Sequence, residues 1–172
     1  MSKLATFSAQ ASKHIAVFFG AGLIKPAPGT WGSLAALPVF LLVHLYGGFS
    51  GAVLATVAVI FIGVWAIEKE TRGKTDHDPS EIVIDEVAGM WIALLPLSYG
   101  AQIMGASILA LYPGWIVAFA AFRLFDITKP GPVGWADERD DAIGVMLDDV
   151  IAGVMSAIVV VAFAALYHIV LT

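Results

Sequence analysis

The stretch Asp78-Pro-Ser-Glu-Ile-Val-Ile-Asp85-Glu86-Val-Ala-Gly89-Met-Trp-Ile92 decides the fold, because four carboxylates run directly into an apolar segment that continues to Leu97. In a water-soluble chain the Asp85-Glu86 pair would be an ordinary helix start, since carboxylates favour the positive end of a helix. The surroundings change that reading. Of the 172 residues, 59% are hydrophobic and only 13% charged, and the mean hydropathy is +0.88. Soluble domains carry about a quarter charged residues, so the bilayer is the main solvent of this chain. Ionisable groups held at membrane depth are costly and point to function.

Working outward, a spanning helix takes about 20 apolar residues. The apolar runs are 15–24, 34–46, 52–67, 87–97, 103–125 and 150–171, with turns expected at 47–51 and 99–100 and charged loops at 68–81 and 126–149. All nine Lys and Arg lie before residue 34, in the first charged loop, or from Arg123 up to residue 150. All fourteen Asp and Glu fall in the same loops or at their edges. Lys and Arg collect on the cytoplasmic side of membranes. The pattern predicts an all-α, polytopic membrane helix bundle of about five crossings, a single domain over 1–172 with its charged end in the cytoplasm. The short run 15–24, the linker 25–33 and the run 34–46 predict a broken or re-entrant N-terminal element. Irregular backbone at that depth must be buried in protein or line a wet cavity. No small-residue cleavage site follows 15–24, so that run is read as retained.

Several function classes drop out. Without cysteine there are no disulfides, no thiol catalysis and no cysteine metal site. The net charge of −5 argues against nucleic acid, which calls for a basic face. No Gly-x-Ser-x-Gly elbow or His-Glu-x-x-His zinc motif occurs.

Three groups of residues can carry chemistry. The acidic pairs Asp85-Glu86 and Asp148-Asp149 echo one another, each followed by an apolar residue and, a turn on, by Gly89 or Gly153. Helix capping accounts for any single acid and explains both pairs less well, since capping needs one residue and doubling adds repulsion. Oxygen-only ligands select a hard cation such as Mg²⁺. Next, Phe122-Arg123-Leu-Phe-Asp126-Ile-Thr-Lys129-Pro130-Gly-Pro132 places Arg123 and Asp126 three apart on one helical face. A snorkelling Arg before a terminating proline would look the same, whereas a functional pairing makes Arg123 and Lys129 phosphate clamps. Finally, Pro28-Gly29-Thr30-Trp31-Gly32-Ser33 offers glycines, hydroxyls and free amides at a helix start, an anion cradle, though a re-entrant turn would also use them. The run 137–141 is read as a solvated charge run, and His77 as a solvated loop histidine.

Together with a Gly-Ala-Gly-Leu segment, the 28–33, 78–89, 122–132 and 144–153 blocks resemble, in order, the signature blocks of the bacterial phosphatidylglycerophosphatase A family. The resemblance covers nearly the whole chain. It implies a Mg²⁺-dependent inner-membrane enzyme that removes the terminal phosphate of phosphatidylglycerophosphate to give phosphatidylglycerol. One departure is Asp141-Ala142-Ile143 where similar proteins often carry paired glycines. On this reading Asp85, Glu86, Asp148 and Asp149 hold metal, and Asp126 is a further ligand or the partner of Arg123. Asp78 is a candidate base, and Gly29, Thr30, Ser33, Arg123 and Lys129 bind the phosphate. Attack by water and an aspartyl-phosphate route both remain open. The rival class is a carboxylate-based ion or proton-coupled transporter, whose site would lie near the bilayer midplane.

Overall fold

A computed structural model describes residues 3–171, with side chains from Ser8 to Ile169. Among the described residues six α-helices follow one another: α1 (Lys3–Ala16), α2 (Pro28–Thr71), α3 (Ile84–Met104), α4 (Tyr112–Thr128), α5 (Pro132–Asp137) and α6 (Ala142–Leu171). Among the described residues, four stretches are long and apolar enough to cross a membrane: α2, α3, 108–128 and α6. The first doubles back. Gly48, at φ 60° and ψ −159°, interrupts α2 with a backbone that a side chain would resist. In a straight helix Gly32 and Gly63 would lie about 46 Å apart. Here both abut the start of α3, Gly32 against Val83 and Gly63 against Ile84. The arms 28–47 and 49–71 therefore form a hairpin, and with the other three stretches they make five passes.

Hydrogen bonds set the directions. Trp91 Nε1 donates to the Ala36 carbonyl at 3.0 Å, and His44 Nδ1 and Ser98 Oγ share a bond of 2.7 Å, so the first arm runs parallel to α3. Phe49 N donates to Gln102 Oε1 at 3.0 Å, placing the hairpin tip beside the far end of α3. α3 is the central helix: 56% of its apolar window is buried, against 22% to 28% for the other three. Phe40, Trp91 and Trp115 pack edge to face around it, over Met90, Leu94 and Phe122. The other helices leave most of their apolar surface outward, as lipid allows.

The N-terminal element is broken as expected. α1 ends at Ala16, a 3-10 turn spans Phe18–Leu23, and Ala27 takes a left-handed conformation before α2 begins. The segment is pinned to the rest by Val83 N donating to the Ala16 carbonyl at 2.9 Å.

Other boundaries move. Residues 28–33 belong to the helix rather than to a linker, because Pro28 sits at a first-turn position where its missing N–H costs nothing. The expected turn at 99–100 is helical. Nothing there breaks the backbone ladder, and the reversal waits for Gly105 at φ 59°. The run 103–125 is divided accordingly, with Ile103 and Met104 ending α3 and a 3-10 turn at Ile108–Leu111 leading into α4. Within the 126–149 loop, Pro132 starts the short α5 and α6 begins at Ala142. The departure at 141–143 finds its reason here. Asp141 Oδ1 accepts from Gly144 N at 2.7 Å and so caps α6, while its carboxylate pairs with Arg139. The Arg139 hydrogen bond and then the Gly144 amide hold that carboxyl below its usual value.

Candidate active site

Two small residues bring the acids together. A Cβ on Gly153 would lie 2.4 Å from the Gly89 carbonyl oxygen, and one on Gly89 would lie 2.5 Å from that of Asp149. α3 and α6 thus touch backbone to backbone one turn inside their acidic starts. That contact sets Asp85 and Glu86 beside Asp149, with one oxygen from each within 4.8 Å of the others. Asp85 and Asp149 are buried. The Glu86 Oε2 and Asp149 Oδ1 atoms are buried without a hydrogen-bond partner, as is Arg123 Nε. Orphaned buried charge of this kind is expensive. Two bare carboxylate oxygens in a three-carboxylate group fit a hard divalent cation.

The cations stand around this group. Arg123 bonds Asp126 at 2.5 Å, as the three-residue spacing predicts, and its Nη1 also reaches Ser33 Oγ at 3.4 Å. Asp126 in turn is among the negative charges acting on Asp149. Lys129 ends α4 in a left-handed conformation, and its Nζ donates to Asp148 Oδ2 at 2.9 Å. Asp148 thus stands next to the three-carboxylate group without joining it, and one of its oxygens is taken by Lys129. Burial alone would weaken the charge on Lys129, but Asp137 and Asp148 outweigh it and push its pKa up.

The 28–33 segment contributes differently from an open cradle. The Thr30 and Trp31 amides are occupied, both donating to the Ala27 carbonyl. Ser33 Oγ donates to the Gly29 carbonyl at 2.8 Å and accepts from Arg123. Gly29 must be small because a Cβ there would lie 2.2 Å from Glu86 Oε1 and 3.3 Å from Arg123 Nη1. Thr30 is half-buried on the same turn, and no hydrogen bond joins its side chain to the acids among the described residues.

Asp78 lies outside the bundle, on a polar cavity of about 280 Å³ lined by Thr75, Asp76, His77, Asp137 and Arg139. Burial pushes its carboxyl above the usual Asp value, with Lys129 opposing that shift.

A sequence profile described as phosphatidylglycerophosphatase A matches residues 14–164, so nearly all of this architecture falls within one family. The chain belongs to the phosphatidylglycerophosphatase A family. It is 39% identical over 150 residues to a phosphatidylglycerophosphatase A of Haemophilus influenzae, covering 86% of this chain and 85% of the relative. The Escherichia coli phosphatidylglycerophosphatase A is 37% identical over 150 residues, covering 83% of this chain and 77% of the relative. A Bacteroides thetaiotaomicron protein, whose name proposes a phosphatidylinositol-3-phosphatase, is 36% identical over 146 residues, 83% of this chain and 86% of its own. No solved structure matches. The spanning helices and bacterial relatives mark a bacterial membrane protein.

Sequence reasoning missed Asp137. Instead of being only part of a solvated charge run, it pairs with Lys129. The clue was available in Val133 and Ala136, apolar residues three apart that bury one face of α5 and fix the Asp137 that follows.

Proposed function

We propose that this member of the family hydrolyses the terminal phosphomonoester of phosphatidylglycerophosphate, releasing phosphate and phosphatidylglycerol at the cytoplasmic face of the bacterial inner membrane. The observation that carries the proposal is the set of three orphaned atoms. Glu86 Oε2 and Asp149 Oδ1 want a cation and belong to the three-carboxylate group, while Arg123 Nε wants an anion and its guanidinium stands with Glu86 beside Gly29. A metal-bridged phosphate is a ligand that satisfies both demands.

The residues then divide the work. Asp85, Glu86 and Asp149 would hold Mg²⁺, which supplies countercharge and Lewis acidity toward the phosphate. Without such a countercharge the acids would repel a headgroup that carries close to two negative charges near neutral pH. Arg123, steered by Asp126 and Ser33, offers its guanidinium edge to phosphate oxygens, and Lys129 adds a point charge. Gly29 leaves the space that Glu86 and Arg123 both border. Thr30 remains a candidate hydroxyl contact on the same turn. Asp148 positions Lys129 in place of holding metal. Asp78, with its raised pKa and its place on the outer cavity, is the candidate base for the proton of an attacking water. Attack by a carboxylate of the cluster is the other route, and hydroxylamine trapping of an acyl phosphate separates the two.

The carboxylates sit in the first turns of α3 and in α6 beside Gly89, at one end of the bundle, so nothing in the geometry favours transport through a midplane site. The test is phosphate release by purified protein in mixed micelles. Turnover of phosphatidylglycerophosphate is expected with Mg²⁺, with loss on chelation and recovery on adding Mg²⁺ back. Phosphatidylinositol 3-phosphate and phosphatidic acid offered alongside decide the headgroup. Faster turnover of either would move the assignment to that lipid, and activity indifferent to chelation would remove the metal.

A further inference from the structure

The Lys129 ammonium is shared between two carboxylates in unequal settings. Asp148 is nearly sealed, its side chain 8% exposed, whereas the Asp137 side chain is 43% exposed and looks onto the outer cavity. Asp137 is nonetheless held firmly in place. α5 is anchored by buried Val133 and Ala136, and it runs so close beneath Lys129 that a Cβ on Gly134 would lie 2.8 Å from the Lys129 carbonyl oxygen. One pairing is thus enclosed with the acids, and the other faces the polar outer cavity, which is open to water and to a charged headgroup. Ion pairs open to solvent contribute little, and this one is open on the Asp137 side. A phosphomonoester, with more charge and three acceptor oxygens, is the stronger partner for an ammonium.

We propose that Asp137 is a built-in competitor at the phosphate subsite, occupying the outward side of the Lys129 ammonium at the border between the buried acids and the outer cavity until the incoming phosphate displaces it. The inference rests on the lipid-phosphatase reading for its physiological ligand, but inorganic phosphate serves as a probe that needs no turnover. Asp148 keeps its bond throughout, so Lys129 stays anchored while its outward partner changes. Asp148 is then the anchor of Lys129 and Asp137 the competitor of the phosphate.

Asp137→Asn should therefore lower KM for phosphatidylglycerophosphate about two- to fivefold, with the change in KM rather than kcat. Equilibrium dialysis should show inorganic phosphate binding tighter by the same factor. Asp137→Glu, which restores the charge, should return both constants toward wild type. In a Lys129→Ala background Asp137→Asn should change neither. Unchanged or weaker phosphate binding in Asp137→Asn overturns the proposal, as does an equal shift without Lys129 or no phosphate binding by the wild type. Asp137→Ser provides the same measurement if the asparagine variant does not fold. Failure of the phosphatase reading shows separately, as a wild-type protein that binds phosphate but does not turn over lipid.

Discussion

The acidic ends of α3 and α6 carry similar short motifs, Ile84-Asp-Glu-Val and Leu147-Asp-Asp-Val, yet their acids have different fates. At the start of α3 both Asp85 and Glu86 join the carboxylate group; of the pair on α6 only Asp149 does, and Asp148 swings to Lys129. Neighbours on a helix point about 100° apart, so a doublet aims at two directions and the surroundings decide which are used. Beside α3 the second direction meets Gly29, whose missing side chain leaves room for Glu86. Beside α6 it meets a lysine. A repeated motif therefore yields one all-acid arm and one arm that links the acids to a cation.

The largest expected effect tests that asymmetry. Glu86→Gln or Asp149→Asn should each lower kcat about 100- to 1,000-fold, the equivalent of several kcal/mol of lost charge stabilisation. Asp148→Asn should act mainly on KM, by about tenfold, through a loosened Lys129. Equal losses of kcat at Asp148 and Asp149 in steady-state assays would erase the distinction between the arms. Next in size is Gly29→Ala, where the clashing atom is the tip of Glu86 and can swing aside. It should cost about ten- to hundredfold in kcat with an unchanged thermal midpoint. Gly153→Ala is the contrasting case, because backbone meets backbone and neither helix can yield locally. There the expected loss is about 1–3 kcal/mol of stability, read as a lower unfolding midpoint in detergent. An unaltered midpoint would mean that α3 and α6 are free to separate.

Much of the architecture was legible because charge and hydropathy are separated along the chain. Lys, Arg, Asp and Glu confined to particular loops give the number of passes and the shared end. Boundaries were less legible. The reversal expected at 99–100 lies at Gly105, since a glycine within an apolar helix is no signal by itself and only its backbone angle shows which one turns the chain. At the site, the acidic doublets and the Arg123–Asp126 spacing could be read directly. The roles of Gly29 and Asp137 could not. Gly29 is small on account of a side chain that arrives from α3, and Asp137 depends on where α5 settles, and neither contact leaves a local pattern.

The reversals at Gly48 and Gly105 have a consequence for how the protein is made. Carrying a lysine, arginine or aspartate to the middle of the hydrocarbon costs about 2.5–3.5 kcal/mol per residue during insertion. The tips at these reversals, 47–51 and 105–107, contain no charged side chain. The two arms of α2 can enter the bilayer as one hairpin, and α3 can enter with the helix that follows it, without dragging a charge across. The groups that would make translocation expensive lie away from both of these tips.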